Sequence, residues 1–508
     1  MASFILEGLA WLVVGLFSLY IFQLIRDSRR RLPPGPWPPK PIIGDLLDLG
    51  EPGQLHRTFQ KLSERYGDLM CLRFGWVPHV IVSSPEALRA VFHAGENGKK
   101  VDTIAGILSL DVLTAWGHDA HTIFALPSLD DKWRAVRKFA AAEMLAPRRI
   151  AGAGAMMQAR IVESLYRDLS DHAARGAPVA IRNAVMDRIL SLLLGLLYSI
   201  DLEPKERAMF RDTIEEIVEI LGTDNVSDIF PAIAPLDLEG LRRRTKTLIG
   251  IVYRPFDEQV VLRRRSREAG EPRKDDVLDT VLDKESEWEK EGSLLSPEVI
   301  RVLLTDIYAA GGSTTSALME WGMVDLIQNP EAMRKAKEEL KRVLGDKPFI
   351  EEPDVAKLPY LQAVIKEMLR LRGAVPLMPR KAEADIEVNG YRIPKNTNVF
   401  VNSWAINRNA QAWPNDPHKF IPERFLVDGE TRSHVGQDFD MIPFGLGRRI
   451  CPGMPLAMKM IPLILGTLLH RFDWELPAEV KESGIDMKEK CGVVVTLVTP
   501  LKVIPREI

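Results

Sequence analysis

The segment PFGLGRRICPG, residues 443–453, says more about fold and chemistry than any other part of this 508-residue chain. Its three glycines predict a tight loop. Cys451 lies in that loop, and Pro452 and the apolar run MPLAMKMIPLILGTLLH follow it, which predicts a helix. A thiolate at the beginning of a helix is stabilised by the helix dipole and by free backbone N–H groups. The pattern indicates a reactive or metal-binding cysteine, with a buried structural cysteine as the alternative.

The composition excludes several other classes of protein. The three cysteines, Cys71, Cys451 and Cys491, are far apart and form no C-x-x-C pair, so neither a disulfide framework nor a structural zinc site is expected. A formal net charge of −3 argues against binding to nucleic acid. With 27% charged and 46% hydrophobic residues, the chain has the balance of an ordinary globular protein.

Periodic apolar spacing predicts that helices dominate the fold. Runs such as MMQARIVESLYRDLSDHA and PEAMRKAKEELKRVLG repeat every 3.6 residues, whereas the strand-like pieces are few and short. In DIEVNGYRI, Asn389 and Gly390 lie between two β-rich runs and predict a hairpin. The expected fold class is mostly α with small β-sheets.

The cysteine loop resembles the haem-binding signature of cytochromes P450, F-x-x-G-x-R-x-C-x-G. Phe444, Gly447, Arg449, Cys451 and Gly453 fill every fixed place. Other patterns of that family occur in the family's order along the chain: Trp133 with Arg137 (W-x-x-x-R), AGGSTT at residues 310–315, Glu367 with Arg370 (E-x-x-R) and PERF at residues 422–425. The resemblance covers essentially the whole chain and implies the cytochrome P450 fold.

The resemblance also implies a cofactor and its partners. Cys451 would bind the iron of haem b as a thiolate, which pushes electron density onto the metal and favours O–O cleavage. Phe444 would cover the sulfur side, and Gly453 belongs to the same cofactor-binding loop. The side chains that resemble partners of the two haem propionates are Trp133, Arg137, Arg380 and Arg449. Arg448 is expected to be a solvated surface residue. Electrons would come from NADPH through NADPH-cytochrome P450 reductase.

Glu367 and Arg370 are three residues apart on one helix face and can pair. The family resemblance adds Arg424 of PERF as the third member of a buried network. Breaking one member of a buried ionic set is strongly destabilising, so the expected role of this network is structural.

A long helix is predicted from Ser296, as its N-cap, to the residue before Asn329-Pro330. It is apolar nearly all round and should be buried. Two glycines in its middle, Gly311 and Gly312, cost about 1 kcal/mol each relative to alanine. We therefore expect either a flat, bulky group close to this backbone or a bend in the helix.

The same helix departs from the family pattern A-G-x-[D/E]-T. Thr314 is retained and can hydrogen-bond dioxygen or its water, but Ser313 occupies the acidic place. Three interpretations remain open. Ser313 relays protons through water, another group replaces the carboxylate, or the reaction depends less on standard hydroxylation, as in phenol coupling. Thr314 and Ser313 are the candidate catalytic residues.

The N-terminus predicts a membrane anchor. Residues 8–25 carry no charge, and their length is near that of a bilayer core. Four arginines, at 26, 29, 30 and 31, follow and favour the cytoplasmic side. We expect an anchor over residues 1–26, a basic, proline-rich hinge over 27–44 and a haem-thiolate catalytic domain over 45–508. The expected location is the endoplasmic reticulum membrane, single-pass and in contact with lipid, with the catalytic domain cytosolic. A cleaved signal peptide fits less well, because no small-residue cleavage site is evident.

Substrate contacts are expected from residues 102–127, residues 205–250, the long helix and the VPLMP strand. The candidate residues are Ile107, Leu108, Ile307, Val375 and Leu377. Such an apolar lining implies a hydrophobic small molecule. Asp306 and Glu320 could meet a cationic amine, although ordinary helix polarity explains them equally well.

Two longer stretches, FGLGRRICPGMPLA and KLPYLQAVIKEMLRLRGAVPLMPRKA, resemble plant microsomal cytochromes P450 of specialised metabolism that act on monoterpenoids and on benzylisoquinoline or tropane alkaloids. The run LRLRGAVPL favours the alkaloid group. We expect hydroxylation or intramolecular phenol coupling of a benzylisoquinoline-type alkaloid with O2 and NADPH-derived electrons. A geraniol-type monoterpenoid hydroxylase is the alternative. A reductase-independent, peroxide-rearranging haem enzyme and a haem-binding sensor are less favoured, because the loop lacks an insertion and Thr314 is retained.

Overall fold

Helices make up most of this chain, in agreement with its apolar periodicity. The computed structural model describes residues 2–51, 53–93, 102–107, 110–115, 117–291, 293–427, 430–431 and 439–508. In chain order the helices are α1 (Ala2–Ser28), α2 (Leu55–Tyr66), α3 (Pro85–Phe92), α4 (Asp111–Thr114), α5 (Asp131–Phe139), α6 (Pro147–Gly152), α7 (Gly154–Met157), α8 (Ser164–Arg175), α9 (Ile181–Tyr198), α10 (Pro204–Leu221), α11 (Val226–Ile229), α12 (Leu241–Glu268), α13 (Val277–Glu291), α14 (Pro297–Gln328), α15 (Pro330–Leu344), α16 (Pro359–Leu371), α17 (Ser403–Ile406), α18 (Met454–His470) and α19 (Ala478–Ser483).

The strands form small sheets, as expected. They are β1 (Leu69–Phe74), β2 (Val77–Val82), β3 (Val179–Ala180), β4 (Leu377–Lys381), β5 (Ile386–Val388), β6 (Tyr391–Ile393), β7 (Asn398–Asn402), β8 (Leu426–Val427), β9 (Glu430–Thr431), β10 (Phe472–Glu475), β11 (Glu489–Cys491), β12 (Val495–Leu497) and β13 (Lys502–Glu507). The largest sheet has the order β1-β2-β7-β4, in which only the β2–β7 pair is parallel. A second sheet has the order β10-β13-β3. Asn389 and Gly390 have positive φ values of 51° and 80° and form the predicted turn between β5 and β6.

The long helix α14 lies in the core, and α5, α9, α16 and α18 contribute to the same buried apolar cluster. Its N-cap is the predicted one, because the Ser296 hydroxyl accepts a hydrogen bond from the Val299 N–H at 3.4 Å. It ends before Asn329, also as predicted.

The glycines in the middle of α14 allow α9 to pack against it. A Cβ atom at Gly311 would lie 2.8 Å from Leu193 Cδ1, and one at Gly312 would lie 2.8 Å from Leu190 Cδ2. Both leucines belong to α9 and are buried. Close packing of another helix therefore explains both glycines, a reason that the sequence did not predict, and the expectation of a flat group at this backbone stays a prediction.

The end of α1 and the proline-rich segment after it pack onto β1. Asp27 is buried and accepts a hydrogen bond of 2.9 Å from Arg73 Nε. The Cys71 N–H donates to the Pro34 carbonyl at 2.8 Å, and a Cβ atom at Gly35 would lie 1.9 Å from the Cys71 oxygen. Trp37 is 55% exposed. The segment is thus held mainly through its backbone.

Among the residues whose side chains the structure describes, no helix is both long enough and apolar enough to cross a membrane. The anchor predicted over residues 1–26 is therefore not confirmed, and it remains a proposal.

Candidate functional site

Backbone geometry requires glycine in the loop that carries Cys451. Gly445 and Gly447 have φ values of 73° and 65°, and a Cβ atom at Gly447 would lie 2.3 Å from Asp102 Oδ2. The Cys451 N–H donates to the Phe444 carbonyl at 2.9 Å, which closes the loop immediately before α18. Phe444 is half-buried and packs against the main apolar cluster.

Two opposing effects act on the Cys451 thiol. Burial raises its pKa, whereas hydrogen bonds from the Gly453 and Met454 N–H groups and the charge of Arg137 lower it. The thiolate form that these donors favour would be kept deprotonated by a bound metal. Within the described part of the chain, no group of three or more His, Cys, Asp or Glu residues could bind a bare metal ion. A single sulfur ligand fits a metal that brings its other ligands with it, as the iron of a porphyrin does.

Three arginines around the loop form no ion pair with a described Asp or Glu, although the charge of Asp102 acts on Arg380 and the charge of Glu383 acts on Arg449. Arg137 donates to the Ile450 carbonyl at 2.5 Å, and Arg449 donates only to backbone carbonyls. Arg380 is 8% exposed, and burial lowers its pKa to about 10. Burial, with the charge of Arg380 as the next cause, lowers the pKa of Arg449 to about 10 as well. Cations that are buried or half-buried without an ion pair are costly, so this set fits a ligand with more than one carboxylate, such as the two haem propionates.

Trp133 lies with Arg449. Its Nε1 donates to the Ile123 carbonyl at 3.2 Å, and the Arg449 guanidinium carbon is 4.7 Å from the centroid of the indole ring. Arg380 is close to the loop too, since a Cβ atom at Gly445 would lie 3.4 Å from its Nη2. The structure thus brings the predicted propionate partners to the cysteine loop from α5, from β4 and from the loop itself.

Thr314 and Ser313 occupy different environments on α14. The Thr314 hydroxyl donates to the Ala310 carbonyl at 2.8 Å, and the Ser313 hydroxyl donates to the Ala309 carbonyl at 3.2 Å. Ser313 is only 2% exposed, whereas Ala310 and Thr314 are partly exposed, as are the neighbouring Ala309 and Gly311, in the middle of a helix that is mostly buried. Partial exposure one turn apart in a core helix indicates an internal space along that face.

Asp306 does not present a free carboxylate to a substrate amine, which was one interpretation of the sequence. It is buried and accepts hydrogen bonds from the Thr122 hydroxyl at 2.6 Å and the Ile123 N–H at 3.2 Å, with His118 Nε2 at 3.3 Å. Glu320 is also buried and accepts from the Leu501 N–H at 3.0 Å. Both acids serve the packing of α14 against other segments.

The candidate substrate residues differ in whether the structure places them near the cysteine loop and the core helix. Ile107, Ile307 and Val375 are buried or half-buried, and Leu108 lies outside the described residues. Leu377 needs a correction, because it packs with the cluster of Phe59, Met70, Leu72 and Ile81, on the opposite face of β4 from Arg380. Met378, which was not predicted as a site residue, lies beside the cysteine loop, since its sulfur would be 3.4 Å from a Cβ atom at Gly445. The alternation of side chains along β4 could have identified it.

The E-x-x-R pair and PERF form one buried network, as the sequence predicts. Arg424 Nε donates to Glu367 Oε1 at 3.1 Å, and Arg370 binds both oxygens of the same carboxylate. Arg448 needs a correction, because its partly exposed side chain is paired and is not a free surface group. Its guanidinium donates to Glu383 at 2.6 Å, and its N–H donates to Asp102 at 2.9 Å.

Comparisons with known proteins agree with this geometry. The family model for cytochrome P450 matches residues 33–504. Cytochrome P450 76C2 of Arabidopsis thaliana is 37% identical over 490 residues, which cover 94% of this chain and 93% of that protein. Ferruginol synthase of Isodon rubescens is 37% identical, with 98% and 99% covered. Oryzalexin D synthase of Oryza sativa subsp. japonica is 36% identical, with 97% and 98% covered.

These matches extend from the proline-rich segment to the last strand and include the cysteine loop, the three arginines around it and the E-x-x-R network described above. The chain therefore belongs to the cytochrome P450 family, whose members are monooxygenases that carry haem b and receive electrons from NADPH through a reductase.

Proposed function

We propose that this protein inserts one oxygen atom of O2 into a neutral, hydrophobic plant metabolite, with Cys451 as the iron ligand. The observation that carries the proposal is one cysteine in a glycine-rich loop, surrounded by three arginines that are buried or half-buried and form no described ion pair. When bound, the haem supplies the iron at which O2 is activated. The residues of this chain bind and orient that group, exclude water and supply protons.

In this proposal Arg137, Arg380 and Arg449 bind the two propionates, and Trp133 stacks on Arg449. The support is electrostatic: a carboxylate would relieve the cost of burying each guanidinium, which the low pKa values of Arg380 and Arg449 express. The N–H of Gly453 points to the sulfur and would tune the iron, and Phe444 would cover the same side.

Protons reach the site through Thr314 in this proposal. Its hydroxyl lies on the partly exposed face of α14, whereas Ser313 is buried and would have to leave the Ala309 carbonyl before it could join a water chain. The absence of an acid at position 313 leaves open the three interpretations given by the sequence, and the effect of Thr314→Ala on coupling distinguishes them.

A neutral substrate is favoured over a cationic alkaloid. Asp306, the acid on the site half of α14, has its acceptors occupied by Thr122, Ile123 and His118. The remaining candidate contacts, Ile107, Ile307 and Val375, are apolar. We therefore place a geraniol-type monoterpenoid or a similarly neutral metabolite first. Two of the relatives are named for the synthesis of ferruginol and of oryzalexin D, and neither name specifies an alkaloid.

A benzylisoquinoline-type alkaloid, for hydroxylation or phenol coupling, becomes the second candidate and rests on the run LRLRGAVPL at residues 369–377. The unusual arginine of that run has a structural explanation, which weakens the argument. Arg372 donates to both oxygens of Asp325, at 2.7 and 2.9 Å, and its guanidinium carbon is 4.4 Å from the centroid of the Trp321 ring.

Microsomes that contain the protein and its reductase test the proposal when they are supplied with NADPH and panels of monoterpenoids and benzylisoquinolines. Mass spectrometry should show a gain of one oxygen for hydroxylation, or a loss of two hydrogens for coupling. Product formed from a peroxide without NADPH would identify the rearranging enzyme instead. Haem-loaded protein that turns over neither panel, with or without NADPH, would contradict the proposal and favour a haem sensor.

We further propose that residues 1–26 insert into the endoplasmic reticulum membrane, that residues 27–44 form the hinge, and that residues 45–508 form a cytosolic haem-thiolate domain. The support is the exposure of large apolar side chains on α1, among them Trp11 at 75%, Phe17 at 63% and Phe22 at 64%. Full-length protein should remain in the membrane after alkaline carbonate extraction of microsomes, and its body should be digested by added protease. Release by carbonate would contradict the anchor.

A further inference from the structure

Asp306 is joined through one residue to Arg449 of the cysteine loop. The Ile123 N–H donates to Asp306 Oδ2 at 3.2 Å, and the Ile123 carbonyl accepts from Arg449 Nη1 at 2.9 Å. The same carbonyl accepts from Trp133 Nε1 at 3.2 Å. A single residue of the segment between α4 and α5 therefore contacts the core helix with one end of its backbone and the haem-side cation with the other.

The position of Arg449 depends on this segment. Its Nη1 and Nη2 donate to the carbonyls of Ile123 and Leu126, and its Nε donates to Ala105 at 2.8 Å. No described carboxylate forms an ion pair with it. The carbonyls of Ala105, Ile123 and Leu126 thus fix the guanidinium, and any movement of these carbonyls moves the cation.

Asp306 fixes the segment in turn. Besides Ile123, it accepts a short hydrogen bond of 2.6 Å from the Thr122 hydroxyl. A His118 side chain protonated on Nε2 donates to Asp306 and accepts from the Tyr253 hydroxyl of α12 at 2.8 Å. Charge-assisted hydrogen bonds in a buried setting are the strong ones. Asp306 is one helical turn before Ala310 and two before Thr314, so the segment is held on the face of α14 that borders the site.

We propose that Asp306 is a positioning residue for Arg449: through Ile123, it sets the guanidinium that retains the haem. The inference rests on the proposed role of Arg449 toward a propionate. It assigns to Asp306 a task that is neither proton delivery nor substrate binding.

The test measures the rate of haem loss from the full-length holoprotein to excess apomyoglobin. Asp306→Asn should lose haem about tenfold faster than the parent, the size of effect expected for a residue that orients a ligand-binding group. Asp325→Asn is the matched control. It removes another buried carboxylate of α14, paired with Arg372 and far from the segment, and it should keep the parent rate.

Arg449→Lys separates the proposed role of Arg449 toward a propionate from the proposed role of Asp306 in positioning Arg449. It should also speed haem loss, and the double variant with Asp306→Asn should be no faster than Arg449→Lys alone, because both changes act on one contact. A parent-like rate for Arg449→Lys would refute the role of Arg449. Two outcomes would refute only the inference about Asp306. In the first, Arg449→Lys loses haem quickly while Asp306→Asn keeps the parent rate. In the second, the increases caused by the two single variants multiply in the double variant. If Asp306→Asn does not load haem, Thr122→Val replaces it, because this variant removes one hydrogen-bond donor to Asp306. Its rate of haem loss should increase by less than tenfold. A parent-like rate for Thr122→Val would refute the inference about Asp306.

Discussion

Two hydrogen bonds of 2.7 Å join the Arg370 guanidinium to the Glu367 carboxylate, and neither side chain is exposed. Arg370 Nη1 also donates to the carbonyls of Asn407 and Pro417, at 2.9 and 2.7 Å. Because Ile421 and Arg424 bind the same carboxylate, the pair links α16 to the chain that leads toward the cysteine loop. The E-x-x-R motif thus stabilises the fold on the side of the protein that carries the cysteine loop.

Arg370→Ala should lower the free energy of unfolding by about 3–5 kcal/mol, because it leaves Glu367 as a buried carboxylate that lacks its main partner. Denaturant unfolding measures this, and the carbon monoxide difference spectrum should show reduced haem loading. Arg334→Ala, at an exposed ion pair with Glu331 and Glu338, is the control and should leave the unfolding midpoint unchanged. Equal effects of the two variants would contradict the structural role.

Cys451→Ser should abolish the long-wavelength Soret band that reduced thiolate-ligated haem shows under carbon monoxide, because the hydroxyl does not replace the sulfur anion. Cys491→Ser is the matched control, since that thiol is also partly buried but lies on β11, outside the loop. A parent protein that is folded and loaded with haem yet lacks the band would overturn the assignment of the ligand.

Gly35→Ala should destabilise the protein by about 1–3 kcal/mol, because the new Cβ would lie 1.9 Å from the Cys71 carbonyl oxygen and would displace the proline-rich segment from β1. Gly152→Ala meets no atom within 4 Å and is the control. Apparent melting temperatures compare the two. Equal temperatures would mean that the segment does not pack on β1 in solution.

The contribution of Glu320 to stability should fall as the pH rises from about 4.5 to about 7, whatever the other titrating groups contribute. Burial raises the pKa of this carboxyl to about 7, so the folded state retains a proton that the unfolded chain releases near 4.5. The penalty, about 3 kcal/mol, is fully present above pH 7 and absent below pH 4.5. Arg182 and Glu215 are the nearby charges.

Glu320→Gln should remove this dependence, because the amide oxygen can still accept from the Leu501 N–H. The variant should be more stable than the parent at pH 8 and similar at pH 5, as measured by denaturant unfolding at both. Glu338→Gln, at an exposed position of α15, is the control. Parallel curves for Glu320→Gln and the parent would rule out this effect.

Thr314→Ala should increase the share of NADPH electrons released as hydrogen peroxide at the expense of product, because the proposed proton donor is lost. Ser316→Ala removes a hydroxyl from the same helix, one that donates to the Gly312 carbonyl at 2.8 Å, and should leave coupling unchanged. NADPH, peroxide and product are measured together. An unchanged ratio in Thr314→Ala would remove this residue from the mechanism.

Several features were determined by sequence alone, because each depends on residues close together in the chain. The loop around Cys451, the E-x-x-R pair on one helix face, the Asn389-Gly390 turn and the ends of α14 follow from local backbone preference and from helical or strand periodicity. Those patterns were enough to predict the fold class and the family.

Only the tertiary structure decided what lies against each of these elements. Four features depend on segments that are distant in sequence. Helix α9 faces Gly311 and Gly312, and Asp306 accepts hydrogen bonds from Thr122 and Ile123. Arg448 is paired, and Leu377 faces away from Arg380. Periodicity shows which side of an element is buried. It does not show which partner a buried polar group finds, because that is fixed only when the whole chain packs.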